Sequence, residues 1–190
     1  MTSSTRAACY GQKRTSTSKS KEAFATNKPE NCEKYGRLYT WATTMDVDLS
    51  YNANQLGEID FPRQGICPER THLPTTWELQ TRTTNLKNYP EYMVYFTNQL
   101  GGFFNYNEEF TALEEQNIVW SSTEYNATGT RYTFMSAWLH AFRKDLSIES
   151  PPKKKITKTY VRCIMLTRRP GKKWPRLRAT AFLPSTPVMN

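Results

Sequence analysis

Four cysteines and two histidines are the side chains of this chain best suited to chemistry. The cysteines are Cys9, Cys32, Cys67 and Cys163. No two of them form a Cys-x-x-Cys pair, and with two histidines in the chain the spacing cannot build a zinc finger. The even number of cysteines favours two disulfides in an oxidising compartment, with three connectivities open.

The N-terminus does not fit such a compartment. Residues 1–8 contain no apolar run that could form the core of a signal peptide. Either the sequence is truncated or mis-started, or the cysteines are reduced in a cytosol. We favour the first alternative and expect an extracellular or cell-surface protein.

No catalytic motif accompanies these side chains. The chain lacks Gly-x-Ser-x-Gly, a phosphate-binding loop and His-Glu-x-x-His. His72 stands at the start of a predicted helix and is expected to cap it or join the core. His140 follows Trp138 and Leu139 and is expected to be half-buried. We therefore predict no enzyme activity and no cofactor.

The nearest approach to a metal site is a group of carboxylates around one predicted loop. The group consists of Asp46, Asp48, Glu58 and Asp60. A hard cation such as Ca²⁺ takes about six to eight oxygen ligands, and these residues do not form a dense cluster. A solvated acidic loop is expected, and no metal site is predicted.

The net charge of +9 is concentrated at one end of the chain. Residues 1–150 hold 15 Lys and Arg against 17 Asp and Glu, whereas residues 151–190 hold 11 basic residues and no acidic one. Such a block can bind anionic polymers by counterion release, but like-charge blocks are more often solvated tails. A basic, disordered tail is expected, and nucleic acid is not predicted as a partner. No apolar run approaches the roughly 18 residues that span a bilayer.

Two helices are predicted in the first half of the chain. The first, over residues 37–45, rests on four apolar residues at helical spacing. They are Leu38, Trp41, Ala42 and Met45. The second, over residues 76–87, follows a capping box formed by Thr75 and Glu78.

Strands are predicted in the second half. Short aromatic and β-branched runs predict strands within residues 101–134, and alternation predicts a final strand over 156–165. Helices followed by antiparallel strands are typical of an α+β fold. We expect one domain over residues 35–166, between a flexible segment (1–34) and the basic tail (167–190).

Five short segments occur in a fixed order along this domain. They are Tyr35-Gly-Arg-Leu-Tyr-Thr-Trp41 continuing to Met45-Asp46, Gly65-Ile-Cys-Pro68, His72-Leu-Pro-Thr75, Trp120-Ser-Ser-Thr-Glu124 and Tyr160-Val-Arg-Cys163. In these segments the chain resembles the Fibrobacter succinogenes major paralogous domain family, and it departs from the family at Arg70-Thr71, where the family has Gly-Trp. The resemblance implies a C-type lectin-like domain, with two helices packed on short, twisted antiparallel strands and tied by disulfides.

The resemblance also implies how the cysteines pair and where a ligand binds. Cys67 would join Cys163, and Cys9 would join Cys32 in a loop of the N-terminal segment. The Glu-Pro-Asn, Gln-Pro-Asp and Trp-Asn-Asp triplets, through which C-type lectins bind sugars with calcium, do not occur here. The variable ligand surface of this superfold would fall within residues 124–144.

Aromatic and polar side chains in that stretch are the candidate ligand-binding residues. They are Tyr125, Asn126, Arg131, Tyr132 and Arg143, with Trp138 and His140 nearby. Aromatic faces beside amide and guanidinium donors suit stacking on sugar rings or packing on a protein partner. Trp138 is expected to face the core, and Tyr132 is equally suited to the core and the surface.

These observations predict a non-enzymatic binding or adhesion module, secreted or at the cell surface, that recognises polysaccharide or a surface partner without calcium. Two alternatives remain open. One is an oxidase similar to formylglycine-generating enzymes, which the same superfold includes and which need a reactive cysteine pair. The other is binding of anionic polymers by the basic tail.

Overall fold

Three α-helices and eight strands make up the part of the chain that the computed structural model describes, residues 29–88, 99–126 and 135–165. The helices are α1 (Pro29–Tyr35), α2 (Trp41–Met45) and α3 (Thr76–Asn88), and a 3-10 turn covers Leu49–Asn52. The strands are β1 (Thr71–His72), β2 (Gly101–Phe104), β3 (Phe110–Leu113), β4 (Gln116–Glu124), β5 (Ser136–Arg143), β6 (Ile148–Glu149), β7 (Pro152–Lys154) and β8 (Ile164–Met165). None of the helices in these ranges is long and apolar enough to cross a membrane.

Six of the strands form one mixed sheet. Its order is β3-β2-β4-β5-β6, with β7 also paired to β5, while β1 and β8 form a separate antiparallel pair. β2 and β4 run parallel, with Gly102 opposite Asn117, and the other neighbours are antiparallel. The predicted α+β class is confirmed. The expectation of antiparallel strands is wrong for β2 and β4, which run parallel. β3 turns back along one edge of β2, and the chain then crosses to the other edge, where β4 runs in the same direction as β2.

α1 begins inside the segment that the sequence predicts to be flexible. Its first residue is Pro29, whose fixed φ and missing N–H suit the first position of a helix. The rest of the predicted flexible segment and the basic tail lie outside the described residues. The predicted pairing of Cys9 with Cys32 lies outside them as well.

α2 is shorter than the helix predicted over residues 37–45. Tyr39 and Thr159 exchange two backbone hydrogen bonds, of 2.8 and 3.0 Å, which hold residue 39 in a β-bridge. The helix therefore starts one residue after Thr40, whose side chain accepts a hydrogen bond from the Thr43 N–H. The predicted apolar face is nevertheless buried, because Leu38 packs into the core from outside the helix.

α3 begins at the predicted capping box. The Glu78 N–H donates to Thr75 Oγ1 over 3.2 Å, and the Thr75 N–H donates to Glu78 Oε2 over 2.8 Å. These reciprocal bonds satisfy two backbone donors that a helix start leaves without partners. The prediction of a capped helix here is confirmed.

The predicted final strand over residues 156–165 is not continuous. Lys158, Thr159 and Tyr160 form single bridges to three different partners, and only Ile164–Met165 forms a strand. The segment passes between these three partners, so successive residues meet different neighbours. An alternating sequence pattern does not distinguish such a crossing from a strand.

Apolar clusters lie on both faces of β4 and β5, because successive side chains of a strand point to opposite faces. One cluster contains Trp41, Met45, Cys67, Leu73, Ile118, Trp120, Ala137, Leu139 and Ala141. The other contains Tyr35, Leu38, Leu79, Val119, Phe142 and Tyr160. Cys67 and Cys163 form a disulfide with their Cα atoms 5.7 Å apart, as the resemblance implied.

Candidate binding surface at one end of β4 and β5

Two predicted ligand-binding residues lie together where β4 ends. Tyr125 directly follows β4, and its N–H donates to the Ser136 carbonyl over 3.1 Å, which joins it to the start of β5. Its ring lies edge-on to Trp138, with the ring centroids 5.2 Å apart. Asn126 is the next residue and is exposed. Trp138, which the sequence assigns to the core, is only half-buried.

The other predicted residues do not join this group in the described structure. Arg131 and Tyr132 lie outside the described residues. Arg143 is the last residue of β5, opposite Gln116, and it pairs with Glu149 over 2.8 Å. Seven residue steps separate Ser136 from Arg143 at the two ends of β5, a distance of roughly 23 Å at about 3.3 Å per step. Arg143 therefore lies far from Tyr125, although both fall within the same short stretch of sequence.

A glutamine that the sequence does not indicate joins Tyr125 and Asn126. Gln55 Nε2 donates to Asn126 Oδ1 over 3.2 Å, and both residues are exposed. The two residues are 71 positions apart, so no local pattern connects them. The end of β4 thus presents an aromatic pair with two carboxamides beside it.

A buried ion pair adjoins these residues through Glu124, which directly precedes Tyr125. Lys155 and Glu124 are in contact, and their side chains are 0% and 3% exposed. The Lys155 ammonium also donates to the Asn54 carbonyl over 2.9 Å and lies 4.4 Å from the centroid of the Trp41 ring. Burial lowers the pKa of Lys155, and the contact with Glu124 opposes that effect.

This ion pair holds the loop that carries Gln55. The Leu56 N–H donates to Glu124 Oε1 over 2.9 Å, while Lys155 binds the carbonyl of Asn54. The residues on both sides of Gln55 are therefore fixed by the same two charges. Glu124 and Lys155 act as positioning residues for the surface, although both are buried.

An irregularity in the pairing of β4 with β5 places the start of α3 near the end of β4 that carries Tyr125. Trp120 pairs with Leu139 and Glu124 with Ala137, so four steps along β4 correspond to two along β5. Residues 121–123 leave the regular pairing of β4 with β5 and bind other parts of the chain, as residues of a β-bulge can.

One of these residues, Thr123, contacts the start of α3. Its Oγ1 accepts from the Thr76 N–H over 3.1 Å, so the first turn of α3 lies beside the residue two positions before Tyr125. The next residue, Trp77, is 65% exposed. We call Gln55, Trp77, Tyr125, Asn126 and Trp138 the β4-end surface.

Trp41 and Trp120, the two tryptophans in the resembling segments, join these segments by hydrogen bonds. Trp41 Nε1 donates to the Ser121 carbonyl, and Trp120 Nε1 donates to the Tyr39 carbonyl, each over 3.0 Å. The Ser122 N–H donates to the Pro74 carbonyl over 2.8 Å. The segments therefore bind one another and do not form the exposed surface.

The two histidines are buried and are not part of the β4-end surface. His140 is fully buried, whereas the sequence predicts half-burial, because its strand has core on both faces. Its Nδ1 lies 3.0 Å from Ser150 Oγ, and burial lowers its pKa to about 4. His72 Nε2 lies 2.9 Å from Glu78 Oε1 and supports the start of α3. Both arrangements are typical of structural histidines.

The acidic residues near α2 have structural partners. Asp48 accepts a hydrogen bond from the Ser50 N–H over 2.9 Å and caps the 3-10 turn, and Asp46 ends α2 with a φ of 57°. Within residues 29–88, 99–126 and 135–165, no three His, Cys, Asp or Glu residues are grouped so that they could hold a metal ion. Comparison of the chain with protein-family models, with curated proteins and with solved structures finds no match.

Proposed function

We propose that this domain is a non-enzymatic binding or adhesion module, secreted or at the cell surface, that recognises polysaccharide without calcium. The observation that carries the proposal is the half-buried Tyr125–Trp138 pair beside the amides of Gln55 and Asn126. A protein partner at the cell surface is the second occupant that such a surface suits.

The chemistry of these side chains fits a sugar ring. Aromatic faces offer a large apolar area, and the carboxamides offer both donors and acceptors for hydroxyl groups. Gln55 and Asn126 are held by a mutual hydrogen bond, and Trp138 lies within β5, so little ordering is required on binding. A rigid surface of this kind supports the binding proposal.

We also propose that the chain is a divergent member of the Fibrobacter succinogenes major paralogous domain family, with a C-type lectin-like fold. The contacts among the resembling segments support this proposal. Hydrogen bonds from Trp41 to Ser121, from Ser122 to Pro74 and from Trp120 to Tyr160, with the Cys67–Cys163 bridge, join all five segments. The bridge also supports an extracellular or cell-surface location, because disulfides persist in oxidising compartments.

Retention on insoluble polysaccharides tests the binding proposal. We expect the protein to be pulled down, to remain bound with a calcium chelator, and to lose most retention as Tyr125→Ala or Trp138→Ala. Arg143→Ala is the matched control, because it lies at the far end of the same strand. Unchanged retention of both aromatic variants would contradict the proposal.

The oxidase alternative makes a different prediction. It requires free cysteines at a reactive site, whereas Cys67 and Cys163 are joined to each other. Mass spectrometry of peptides under non-reducing conditions distinguishes the two functions. A quantitative Cys67–Cys163 peptide is expected for the binding module, and a large free-thiol fraction at either position would favour the oxidase.

A further inference from the structure

The hydrogen bonds around the buried Lys155–Glu124 pair are those that an amide needs. Lys155 Nζ donates to the Asn54 carbonyl over 2.9 Å, and Glu124 Oε1 accepts from the Leu56 N–H over 2.9 Å. An ammonium has three donors and a carboxylate has two acceptor oxygens, but Glu124 Oε2 is buried without a hydrogen-bond partner among the described residues. An amide between the two side chains has one N–H and one C=O. Asn54 and Leu56 satisfy both groups of such an amide.

The two side chains are also held away from water. Both are buried, and the Trp41 ring lies 4.4 Å from the Lys155 ammonium. Burial lowers the pKa of Lys155, which favours the neutral amine, the form that can act as a nucleophile. Because two neutral groups need no solvation, a proton can pass from the ammonium to the carboxylate in such surroundings. The absence of bulk water also protects a finished amide from hydrolysis.

The backbone beside the pair suits amide formation. The Leu56 N–H donates to Glu124 Oε1, where negative charge develops when an amine adds to the carboxyl carbon. The Asn54 carbonyl holds the Lys155 nitrogen in contact with the carboxyl group, so the two reactants are already together. Oε2, which no described residue binds, is the oxygen that can leave.

We propose that Lys155 and Glu124 form an isopeptide bond that crosslinks the folded domain. The Lys155 nitrogen attacks Glu124 Cδ, so that a C–N bond forms and the bond between Cδ and Oε2 breaks. Oε2 takes up two protons from the lysine nitrogen and leaves as water, and nothing is oxidised or reduced. The ion pair is the state from which this reaction starts. The inference does not depend on which ligand the domain binds.

The bond would connect the end of β4 to the residue after β7, 31 positions along the chain. The Cys67–Cys163 bridge joins other parts of the domain and can be reduced, whereas an amide cannot be broken by a thiol. The isopeptide bond would therefore hold the end of β4 in place under reducing conditions as well.

The intact mass of the full chain tests the proposal. The protein is purified in its native form, then reduced and denatured, and we expect a main species that is one water lighter than the sequence requires. Lys155→Arg is expected to have its full sequence mass, because a guanidinium stays protonated and is a poor nucleophile. Lys153→Arg, which changes an exposed lysine two positions away, is the matched control and should still lose one water. The full sequence mass for the wild type, or the same loss in Lys155→Arg, would overturn the inference.

Peptide mapping locates the bond. Trypsin does not cleave after an acylated lysine, so the wild-type digest should contain peptide 88–131 joined to peptide 155–158. Fragmentation of this branched peptide should place the link between Glu124 and Lys155. A link between any other two residues would contradict the proposal.

The dependence on folding is a further test, because only the folded chain brings the two side chains together. Protein collected and kept in urea should have its full mass and lose one water only after refolding. Loss of water in the unfolded chain would contradict a reaction that the fold promotes.

Discussion

The Lys155 ammonium contacts the Glu124 carboxylate inside the protein, at a point where three parts of the chain meet. Glu124 ends β4 and Lys155 directly follows β7. Glu124 accepts from the Leu56 N–H, and Lys155 donates to the Asn54 carbonyl. Trp41 covers the ammonium with its ring. Two charges without access to water thus determine where the loop at the β4-end surface lies.

Removing one member of this pair is expected to destabilise the protein strongly. Lys155→Met leaves the Glu124 carboxylate buried without its counter-charge, which costs about 3–5 kcal/mol of the free energy of unfolding. The double variant with Glu124→Leu is expected to lose less than the sum of the two single variants, because no charge stays buried. Urea denaturation of all four proteins measures this coupling. Strictly additive losses would show that the two charges do not depend on each other.

The Cys67–Cys163 bridge is expected to contribute much of the stability. It closes a loop of 96 residues, for which loop entropy corresponds to about 4–5 kcal/mol. Replacing both cysteines by alanine should lower the free energy of unfolding by up to this amount. Urea denaturation of oxidised, reduced and double-alanine protein measures the effect. A reduced wild type as stable as the oxidised protein would contradict it.

His140 is expected to make stability depend on pH in mildly acidic solution. Burial holds the pKa of the folded side chain at about 4, while the unfolded chain has the ordinary value of 6.5. The unfolded state therefore takes up a proton first as the pH falls, and up to about 3 kcal/mol of stability is lost between these two values. Above the ordinary pKa this contribution is fully present.

His140→Gln tests this pH dependence, because glutamine does not titrate. Unfolding in urea at several pH values should show a shallower decline for the variant than for the wild type below the ordinary histidine pKa. Carboxylates titrate in both proteins, so the difference between the two curves carries the result. Parallel curves would mean that His140 becomes protonated in the folded protein.

Gly65 is expected to be much less tolerant of substitution than Gly57. Both have a positive φ, of 55° and 83°, so alanine costs about 1–2 kcal/mol of backbone strain at either position. A Cβ at Gly65 would also overlap the Thr44 carbonyl oxygen and the Leu73 side chain, whereas a Cβ at Gly57 has nothing within 4 Å. The thermal midpoints of Gly65→Ala and Gly57→Ala measure the difference. We expect the former to lose about 1–3 kcal/mol more.

Local signals predicted those parts of the fold that depend on neighbouring residues. Thr75 and Glu78 form a capping box within four residues, so the start of α3 could be predicted. The helix predicted over residues 37–45 is longer than α2, because Tyr39 pairs with Thr159, 120 positions along the chain. Helical spacing does not reveal such a partner. Tertiary pairing overrides local propensity there.

The candidate site shows the same limit. Tyr125 and Asn126 were identified because they follow one of the resembling segments. Gln55 was missed, because it reaches Asn126 only through a loop that Glu124 and Lys155 hold. Sequence proximity, in turn, grouped Arg143 with Tyr125, although Arg143 lies seven residue steps along β5 from Ser136, the partner of Tyr125.

The hydrogen bond between Tyr125 and Ser136 has a practical consequence for protein engineering. This hydrogen bond extends the pairing of β4 and β5 beyond Glu124. The residues on both sides of the connection over 126–135 are therefore held by the paired strands. The hydrogen bonds of Trp41 to Ser121 and of Trp120 to Tyr39, and the Cys67–Cys163 bridge, join residues outside this connection. A peptide grafted between Asn126 and Met135 would therefore start and end at positions that the pairing of β4 and β5 fixes.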